Sequence, residues 1–293
     1  MQIKITLLLW LFTATLCAQD PMTYVNHRNE THLCGPISIE DLNTSPYKKW
    51  FNKNYKAMAL SEKPTDWKDN LKETQVDIFL GTWCGDSKRN VPKFIKLWES
   101  LGLDPSQLNI IALYDSDEKY KQGPNREEMG KGIHRVPTFI FHKDGEEYAR
   151  IVERPVTDLE TDLAQIALGV PSTPNYQAAS YMIKLFANNS PATVDKDLME
   201  HATAVNRLTN KSRELNTLGH VFMSAGKIQE ALLTFQINTK CFQYEPKVFN
   251  SYAEALAFHG QNEQAVANYK KVLELDPDNN HAKTQISKLE EKG

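Results

Sequence analysis

One cysteine in the middle of the chain has the neighbours that a reactive thiol needs. Cys84 lies in the segment Trp83-Cys84-Gly85-Asp86-Ser87, after a run of alternating apolar residues and before a helical pattern. At the first turn of a helix, free backbone N–H groups and the positive end of the helix dipole favour a thiolate and lower the pKa of a thiol. The segment therefore predicts a nucleophilic cysteine, with Gly85 giving close backbone access and Trp83 forming an apolar wall.

The residue three positions after Cys84 limits this chemistry, because it is Ser87. A dithiol attacks a disulfide and then releases itself, whereas a lone thiol needs a resolving thiol from elsewhere. Ser87 can donate a hydrogen bond to the thiolate but cannot attack. Two interpretations follow: Cys84 is the nucleophile of a monothiol site assisted by Ser87, or it is a remnant in a redox-inactive binding domain.

The other cysteines offer one candidate for the second thiol. Cys34 lies in a polar lead and could resolve a mixed disulfide at Cys84, or it could be a free thiol docked against the domain. Cys241 falls near the end of a helix, where a buried structural cysteine is expected. Asp115 and Asp117 end a strand but supply too few ligands for a metal ion, so we expect no metal site and no cofactor.

The elements around Cys84 alternate between strands and helices. Strands are predicted over 76–80 and 108–114, and a helix over 85–101 lies between them. The Asp144-Gly145 pair predicts a tight hairpin between strands at 138–142 and 146–152. A capping box at 157–160 begins a last helix that ends near Gly169. This order predicts a mixed sheet with helices on both faces.

The segment from about Pro64 to Gly169 resembles the thioredoxin family. The resemblance rests on the Cys84 motif, on Pro92 eight residues later, and on the run Gly132-Ile133-His134-Arg135-Val136-Pro137-Thr138. In that family the proline at this place is cis and lies against the active-site cysteine. The resemblance implies that Trp83, Gly85, Val136 and Pro137 bind an extended substrate and that Pro137 discourages metal ligation at Cys84.

Two positions depart from the family pattern. Thioredoxins bury an aspartate six residues before the nucleophile as a proton relay, but this position is Ile78 here, and Asp77 should face the other way. The family also has a glycine in the substrate groove near the position of Glu153, where a glutamate adds bulk and charge. Both changes argue against a general disulfide reductase. His134 and Arg135, just before Pro137, could contact the substrate, but we interpret them as solvated loop residues.

The second half of the chain is helical and repeats at a spacing of 34 residues. Gly226 pairs with Gly260 and Phe235 with Tyr269. These positions resemble the tetratricopeptide repeat, with two clear copies at 212–245 and 246–279 and a capping helix at 280–292. Residues 175–210 hold two further helices that match poorly. Tyr252, Phe258 and Tyr269 follow the repeat spacing and should be buried.

These patterns divide the chain into four parts. We expect a signal peptide at 1–18, an N-terminal extension with one helix at 19–63, a thioredoxin-like α/β domain at 64–170, and an all-α helical repeat domain at 175–293. Lys4 and the apolar run at 5–12 fit a cleaved export signal and are too short to span a membrane. A lipoprotein signal at Cys17 is disfavoured, because Leu16 is not the small residue expected before it.

Composition excludes some partners and leaves others open. The formal net charge of −3 gives no indication of nucleic-acid binding. We expect an exported protein, periplasmic in a Gram-negative source, that exchanges thiols and disulfides through Cys84 and recruits a protein partner through its repeats. The alternative is a redox-inactive adaptor or chaperone-like module that binds extended peptides. An iron–sulfur role like that of monothiol glutaredoxins is disfavoured by Asp86 and by the export signal.

Overall fold

The computed structural model describes residues 21–62 and 65–291, so the predicted signal peptide and Cys17 lie outside the described residues. The first part of the described chain contains β1 (Thr23–Val25), β2 (Thr31–Leu33), β3 (Gly35–Ile37), α1 (Ile39–Leu42), α2 (Lys48–Lys56), β4 (Gln75–Leu80), α3 (Gly85–Ser100), β5 (Leu108–Ala112), β6 (Thr138–Lys143), β7 (Glu146–Val152) and α4 (Leu159–Ala167). Short 3₁₀ turns add Asp66–Leu71, Pro105–Gln107 and Asp117–Lys119.

Five strands form a mixed sheet in the order β3-β5-β4-β6-β7. The central strands β4 and β5 are parallel and are joined by the crossover helix α3, whereas the other neighbouring pairs are antiparallel. The predicted hairpin is confirmed: Asp144 (φ 53°) and Gly145 (φ 81°) both take the left-handed conformation that a two-residue turn between twisted strands requires. The α/β architecture inferred from patterning is therefore the observed one.

The sheet begins earlier than the sequence pattern indicated. The sequence pattern assigned residues 35–37 to a polar N-terminal extension. They form the edge strand β3 and pair with β5, with Pro36 opposite Ile111. The hairpin of β1 and β2 precedes this strand. A strand of three residues containing Gly35 and Pro36 has too few apolar positions to produce a period-2 pattern. Proline is tolerated there because the strand lies at a sheet edge.

The two faces of the sheet are covered differently. Alternate residues of β4, including Ile78, face a large core with α2, α3 and α4, where the Phe94 ring stacks on Trp98 and contacts Phe139. On the other face, Phe79, Ile111 and Ile140 belong to a smaller cluster that contains no α-helical residue among those the structure describes. Within the α/β part, the irregular segment 113–137 covers this second face, so the helix that we expected there is not found in the described residues.

The rest of the chain is helical. It contains α5 (Gln177–Asn188), α6 (Pro191–Lys196), α7 (Leu198–Leu208), α8 (Arg213–Ser224), α9 (Ile228–Cys241), α10 (Pro246–Phe258), α11 (Asn262–Leu275) and α12 (Asn280–Glu290). Residues 177–208 form three helices rather than the two expected. No helix in residues 21–62 or 65–291 is long and apolar enough to cross a membrane.

The 34-residue periodicity corresponds to equivalent packing positions. Gly219 of α8 lies against the ring of Phe235 on α9, and the small Ala253 of α10 and the buried Tyr269 of α11 lie 34 residues later. Gly226 and Gly260 take positive φ where each pair of helices turns. Phe258 is 76% exposed, so its predicted burial is wrong. It is the last residue of α10, beyond the part of the helix that faces its neighbours.

The helical part docks on the second face of the sheet. Gln122 Nε2 donates to the carbonyl and hydroxyl of Ser224 at the end of α8, at 2.6 and 3.0 Å. Arg135 donates to the carbonyl of Arg213 at the start of α8, at 3.0 Å. Asn175 donates to the carbonyl of Arg154. Both halves of the chain therefore contribute to the surroundings of the segment that leads to Pro137.

The close approach of α8 and α9 gives a stability prediction. A Cβ on Gly219 would lie 2.5 Å from two ring atoms of Phe235, which is fully buried and cannot move aside freely. We expect Gly219→Ala to lower the free energy of unfolding by roughly 1–3 kcal/mol, the usual cost of overpacking. Urea unfolding followed by circular dichroism measures it. Gly85→Ala is the matched control, because its Cβ meets nothing within 4 Å and should leave stability unchanged or slightly raised. An equal effect of both variants would contradict the packing argument.

Candidate functional site

Cys84 lies where β4 ends and α3 begins. It is the N-cap residue of α3, with extended backbone angles (φ −84°, ψ 128°), and its amide donates to the carbonyl of Gly81. The Sγ atom donates to the carbonyl oxygen of Val136 at 3.2 Å. The residue is partly exposed. The structure thus places the thiol over the first turn of a helix, within reach of solvent, as the sequence pattern predicts.

Trp83 is held beside the thiol by a polar and an apolar contact. Its indole Nε1 donates to the carbonyl of Leu113 at 2.8 Å, and its ring lies 6.2 Å from the ring of Tyr120. The side chain passes so close to Gly81 that a Cβ there would be 2.4 Å from the indole. Gly81 is therefore required for this indole position, which the sequence pattern did not indicate.

Ser87 does not contact Cys84 in the way the sequence suggested. It is fully buried, and its Oγ accepts a hydrogen bond from the amide of Gly81 at 3.2 Å. The hydroxyl therefore closes the turn between β4 and α3. The thiol instead uses the Val136 carbonyl as its partner. The role of Ser87 as a donor to the thiolate stays a prediction without a contact in the structure.

The proposed substrate-binding residues lie together at this turn. The Val136–Pro137 peptide bond is cis, and both residues are buried. Val136 packs into the small cluster on the second face of the sheet, against which Trp83 and Cys84 also pack. Gly85 is exposed at the start of α3. An approaching peptide would therefore meet Trp83, Cys84 and Gly85 first, and Val136 only through its backbone.

Cys34 is a buried thiol that is not bonded to Cys84 in the structure. It is free and 1% exposed, directly before the edge strand β3, and its thiol contacts the hydroxyl of Tyr114. The residues before it reach the segment that leads to Cys84, since the amide of Leu33 donates to Thr82 Oγ1 at 3.2 Å. Burial raises the pKa of Cys34. A resolving role would require Cys34 to leave its buried position, and it stays a prediction.

Cys241 behaves as a structural residue. Its thiol donates to the carbonyl of Ala202 at 3.3 Å, and it packs against the core of the helical part. Burial raises the pKa of this thiol to about 11. Little thiolate forms there at neutral pH, so Cys241 is a poor nucleophile.

The acid that thioredoxins place below the nucleophile is absent here. Ile78 lies in the large core with no exposed surface, on the face of the sheet that α3 covers. Asp77 lies on the opposite face, where it pairs with His142 at 3.1 Å and Lys131 at 3.4 Å. Neither residue supplies a proton-transfer group below Cys84. Any such group must come from another direction.

A largely enclosed ion pair, with side chains 11% and 13% exposed, borders the site on the side of the helical part. Glu153 has a positive φ of 64°, and its amide donates to the carbonyl of Pro137 at 2.7 Å. Its carboxylate lies 3.6 Å from the guanidinium of Arg135 and accepts a hydrogen bond from the hydroxyl of Tyr176. The Arg135 guanidinium in turn lies 4.6 Å above the Tyr176 ring. The left-handed backbone at Glu153 suits the glycine that thioredoxins have near this place.

His134 is buried and the Arg135 side chain is only 11% exposed, so their interpretation as solvated loop residues is wrong. His134 is 2% exposed, and its Nδ1 faces the carbonyl of Gly132 at 3.2 Å. Burial lowers the pKa of His134 to about 3, so the imidazole is neutral. Burial also lowers the pKa of Arg135 and raises that of Glu153, and each of these two charges opposes the shift of the other. The helical part covers these residues, which a sequence window around Pro137 could not reveal.

Lys121 and Tyr120 complete the surroundings of the thiol. Lys121 is 3% exposed, its amino group donates to the carbonyl of His134 at 2.8 Å, and it lies 4.2 Å from the Tyr120 ring centre. Both residues belong to the irregular segment 113–137, which has no periodic pattern to mark them as buried. In the part of the chain that the structure describes, no group of three or more His, Cys, Asp or Glu side chains could hold a metal ion.

Comparison with known proteins supports the thioredoxin assignment. No model of a known protein family matches the chain. Thioredoxin H9 of Arabidopsis thaliana is 31% identical over 114 residues, an alignment that covers 37% of this chain and 74% of that protein. This similarity, together with the mixed sheet and the cysteine at the start of α3, indicates a thiol function related to redox chemistry. Through its N-terminal part, the chain belongs to the thioredoxin family.

Proposed function

We propose that the protein exchanges thiols and disulfides through the single nucleophile Cys84. The observation that carries this proposal is the place of its sulfur, which is partly exposed at the N-terminus of α3 and bonded to the carbonyl that precedes Pro137. Backbone N–H groups of the first helical turn stabilise a thiolate there. The family relationship supports the same chemistry at the same turn.

The reaction balances with one protein thiol and an external disulfide. The Cys84 thiolate attacks one sulfur of the substrate disulfide, a new S–S bond forms to Cys84, and the other sulfur leaves as a thiolate that takes up a proton. A second thiol must then attack this mixed disulfide and release Cys84. Because Cys34 is buried and burial raises its pKa, we assign that role to a small thiol or to a thiol of a partner protein.

We further propose that the helical part acts as tetratricopeptide-type repeats that recruit a protein partner. Helices α8, α10 and α12 line a cleft of about 550 Å³ whose side chains include Asn216, Lys247, Asn250, Glu254 and His281. Equivalent positions 34 residues apart, such as Asn216 and Asn250, face this cleft. Stacked helical repeats create concave surfaces of this kind for extended partners. Export through the signal at 1–18 would place this exchange outside the cytoplasm.

A redox-inactive adaptor is the second candidate. The observation in its favour is that the helical part covers the surroundings of the thiol. Tyr176, at the start of α5, contacts both Glu153 and Arg135. Under this alternative the turn at Cys84 would bind a peptide without turnover. Thiol reactivity separates the two functions.

The separation of the three described cysteines predicts a single fast thiol. At pH 8 a small aromatic disulfide should react rapidly with one thiol per chain, and Cys84→Ser should abolish this fast phase. Cys34 is buried, and Cys241, with a pKa of about 11, has roughly a thousandth of its thiol in the thiolate form at that pH. Release of the coloured thiol, followed by stopped-flow absorbance, measures the rate.

The matched control is Cys241→Ser, which should keep the fast phase because Cys241 contacts only the helical part. Mass spectrometry of the product identifies the modified cysteine. A fast phase that survives in Cys84→Ser, or a wild-type protein whose Cys84 reacts no faster than Cys241, would leave only the adaptor function.

The proposed recruitment predicts that blocking the cleft affects protein clients but not small disulfides. Asn250→Arg places a long cation in the cleft and should reduce the yield of protein mixed disulfides at Cys84 by about fivefold or more, the loss that about 1 kcal/mol of binding free energy produces. Non-reducing electrophoresis of mixed disulfides formed in a cell extract measures the yield.

Asn268→Arg is the matched control for this variant. Asn268 lies on α11, where its amide donates to the carbonyl of Gln264 outside the cleft. Its client yield should equal that of the wild type, and both variants should react with the small disulfide at the wild-type rate. Equal client yields in all three proteins would exclude the cleft as the recruiting surface.

A further inference from the structure

Lys121 carries a buried amine that has no role in the thiol chemistry proposed above. Its amino group donates to the carbonyl of His134 at 2.8 Å, and none of the salt bridges within residues 21–62 and 65–291 involves it. A charged amine enclosed by protein without a carboxylate partner is costly. Such a residue is retained at a cost to stability, which calls for a role besides packing.

The amine and the thiol lie against the same short segment. Lys121 donates to the carbonyl of His134, and Cys84 donates to the carbonyl of Val136, two residues further along. A second connection runs through Tyr120, whose ring is 4.2 Å from the Lys121 amine and 6.2 Å from the ring of Trp83. Lys121 and Cys84 are therefore neighbours across this segment, close enough for their charges to interact.

Charged groups from several elements act on Lys121. Cys84 and Glu153 favour its protonated form, whereas Arg135 disfavours it. His134 in the same segment and His220 on α8 also face it, and both are kept mainly neutral by burial. Because interactions between two sites are reciprocal, a protonated Lys121 favours the Cys84 thiolate by as much as the thiolate favours that protonation.

We propose that Lys121 is a positioning residue for the proton chemistry of Cys84: its amine takes up a proton as the thiol ionises, and the resulting ammonium ion stabilises the thiolate. This inference rests on the proposed thiol–disulfide exchange. It would give this site, from the segment before Pro137, the proton-transfer group that Ile78 cannot provide from below the sheet.

The proton balance is simple. A neutral thiol and a neutral amine become a thiolate and an ammonium ion, and no other group is consumed. When the thiolate forms the mixed disulfide, its negative charge is lost and the leaving thiolate accepts a proton, so Lys121 returns to the neutral amine. Burial lowers the pKa of Lys121 to about 7, which lets the amine change its charge near neutral pH.

The reactivity of Cys84 tests this inference. Iodoacetamide is uncharged, so its alkylation rate reports the thiolate without an electrostatic effect on the reagent. Between pH 6 and 7 the rate in Lys121→Met should be about tenfold lower than in the wild type, because an opposite charge nearby shifts a thiol's ionisation by a unit or more. Lys121→Arg, which keeps a cation at every pH, should restore at least part of the rate.

Lys119→Met is the matched control, since Lys119 is exposed two positions away and should leave the profile unchanged. Identical alkylation profiles for Lys121→Met and the wild type would overturn the role of Lys121. This result is distinct from failure of the proposed function, which would show as a wild-type Cys84 that does not react with the small disulfide. Circular dichroism of each variant establishes that it is folded before rates are compared.

Stability provides a second test, in which Lys121→Met should increase the measured quantity rather than decrease it. The folded-state pKa of Lys121, about 7, lies below its ordinary value of 10.5. Between these two pH values the unfolded chain binds a proton that the folded protein does not, so the stability contribution of this residue rises with pH. Lys121→Met removes the charged group from its enclosed site. The urea midpoint of this variant should exceed that of the wild type at pH 7, and the difference should shrink as pH approaches 10.5. A lower midpoint at pH 7 would mean that Lys121 serves packing, and it would overturn the inference.

Discussion

The burial of charge beside Cys84 is the constraint on which the arrangement of the two halves depends. Arg135 and Glu153 are enclosed between the end of the sheet and the first helices of the helical part, and Tyr176 contacts both. In a low-dielectric environment each charge needs the other, because removing one leaves an uncompensated ion that costs several kcal/mol. The guanidinium also joins the two halves directly by donating to the carbonyl of Arg213 at the start of α8. Separation of the halves would expose this pair to water, so docking of the helical part and the environment of Pro137 are linked.

This docking takes place on the sheet face that has no helix of its own. Thioredoxin-like patterning led us to expect helices on both faces, but the segment between β5 and β6 contributes only a 3₁₀ turn and loops. Helix α8 approaches that turn, and Gln122 is fixed to the end of the same helix. The helical part thus protects what an internal helix would otherwise cover. Docking of the helical part also has a chemical consequence, because it helps to enclose Lys121, His134 and Arg135.

The parts of the fold with strong periodicity were predictable. Strands β4 to β7, helix α3 and the Asp144-Gly145 turn follow from alternation and turn chemistry, and the spacing of Gly226 and Gly260 indicated the helix pairs. Strand β3 is too short to produce a pattern. Burial of His134 and Arg135 depends on helices about 80 residues later, and no local window contains that information. The predicted burial of Phe258 was wrong for a similar reason, because an equivalent position in a repeat does not determine where a helix ends.

At the candidate site the sequence predicts the nucleophile and the segment next to it, but not how protons reach them. Cys84, Trp83 and Pro137 follow from one strand–turn–helix unit and one proline loop, so short motifs suffice. Ile78 places no acid below the thiol, and the Ser87 hydroxyl accepts the Gly81 amide, so neither position offers Cys84 a proton-transfer group from the side of α3. The partly exposed thiol contacts the Val136 carbonyl on its other side, in the segment 113–137. That segment includes the buried amine of Lys121, and the helical part contacts the segment through Gln122 and Arg135. The surroundings of Cys84 therefore depend on a region with little regular structure and on the helices that contact it.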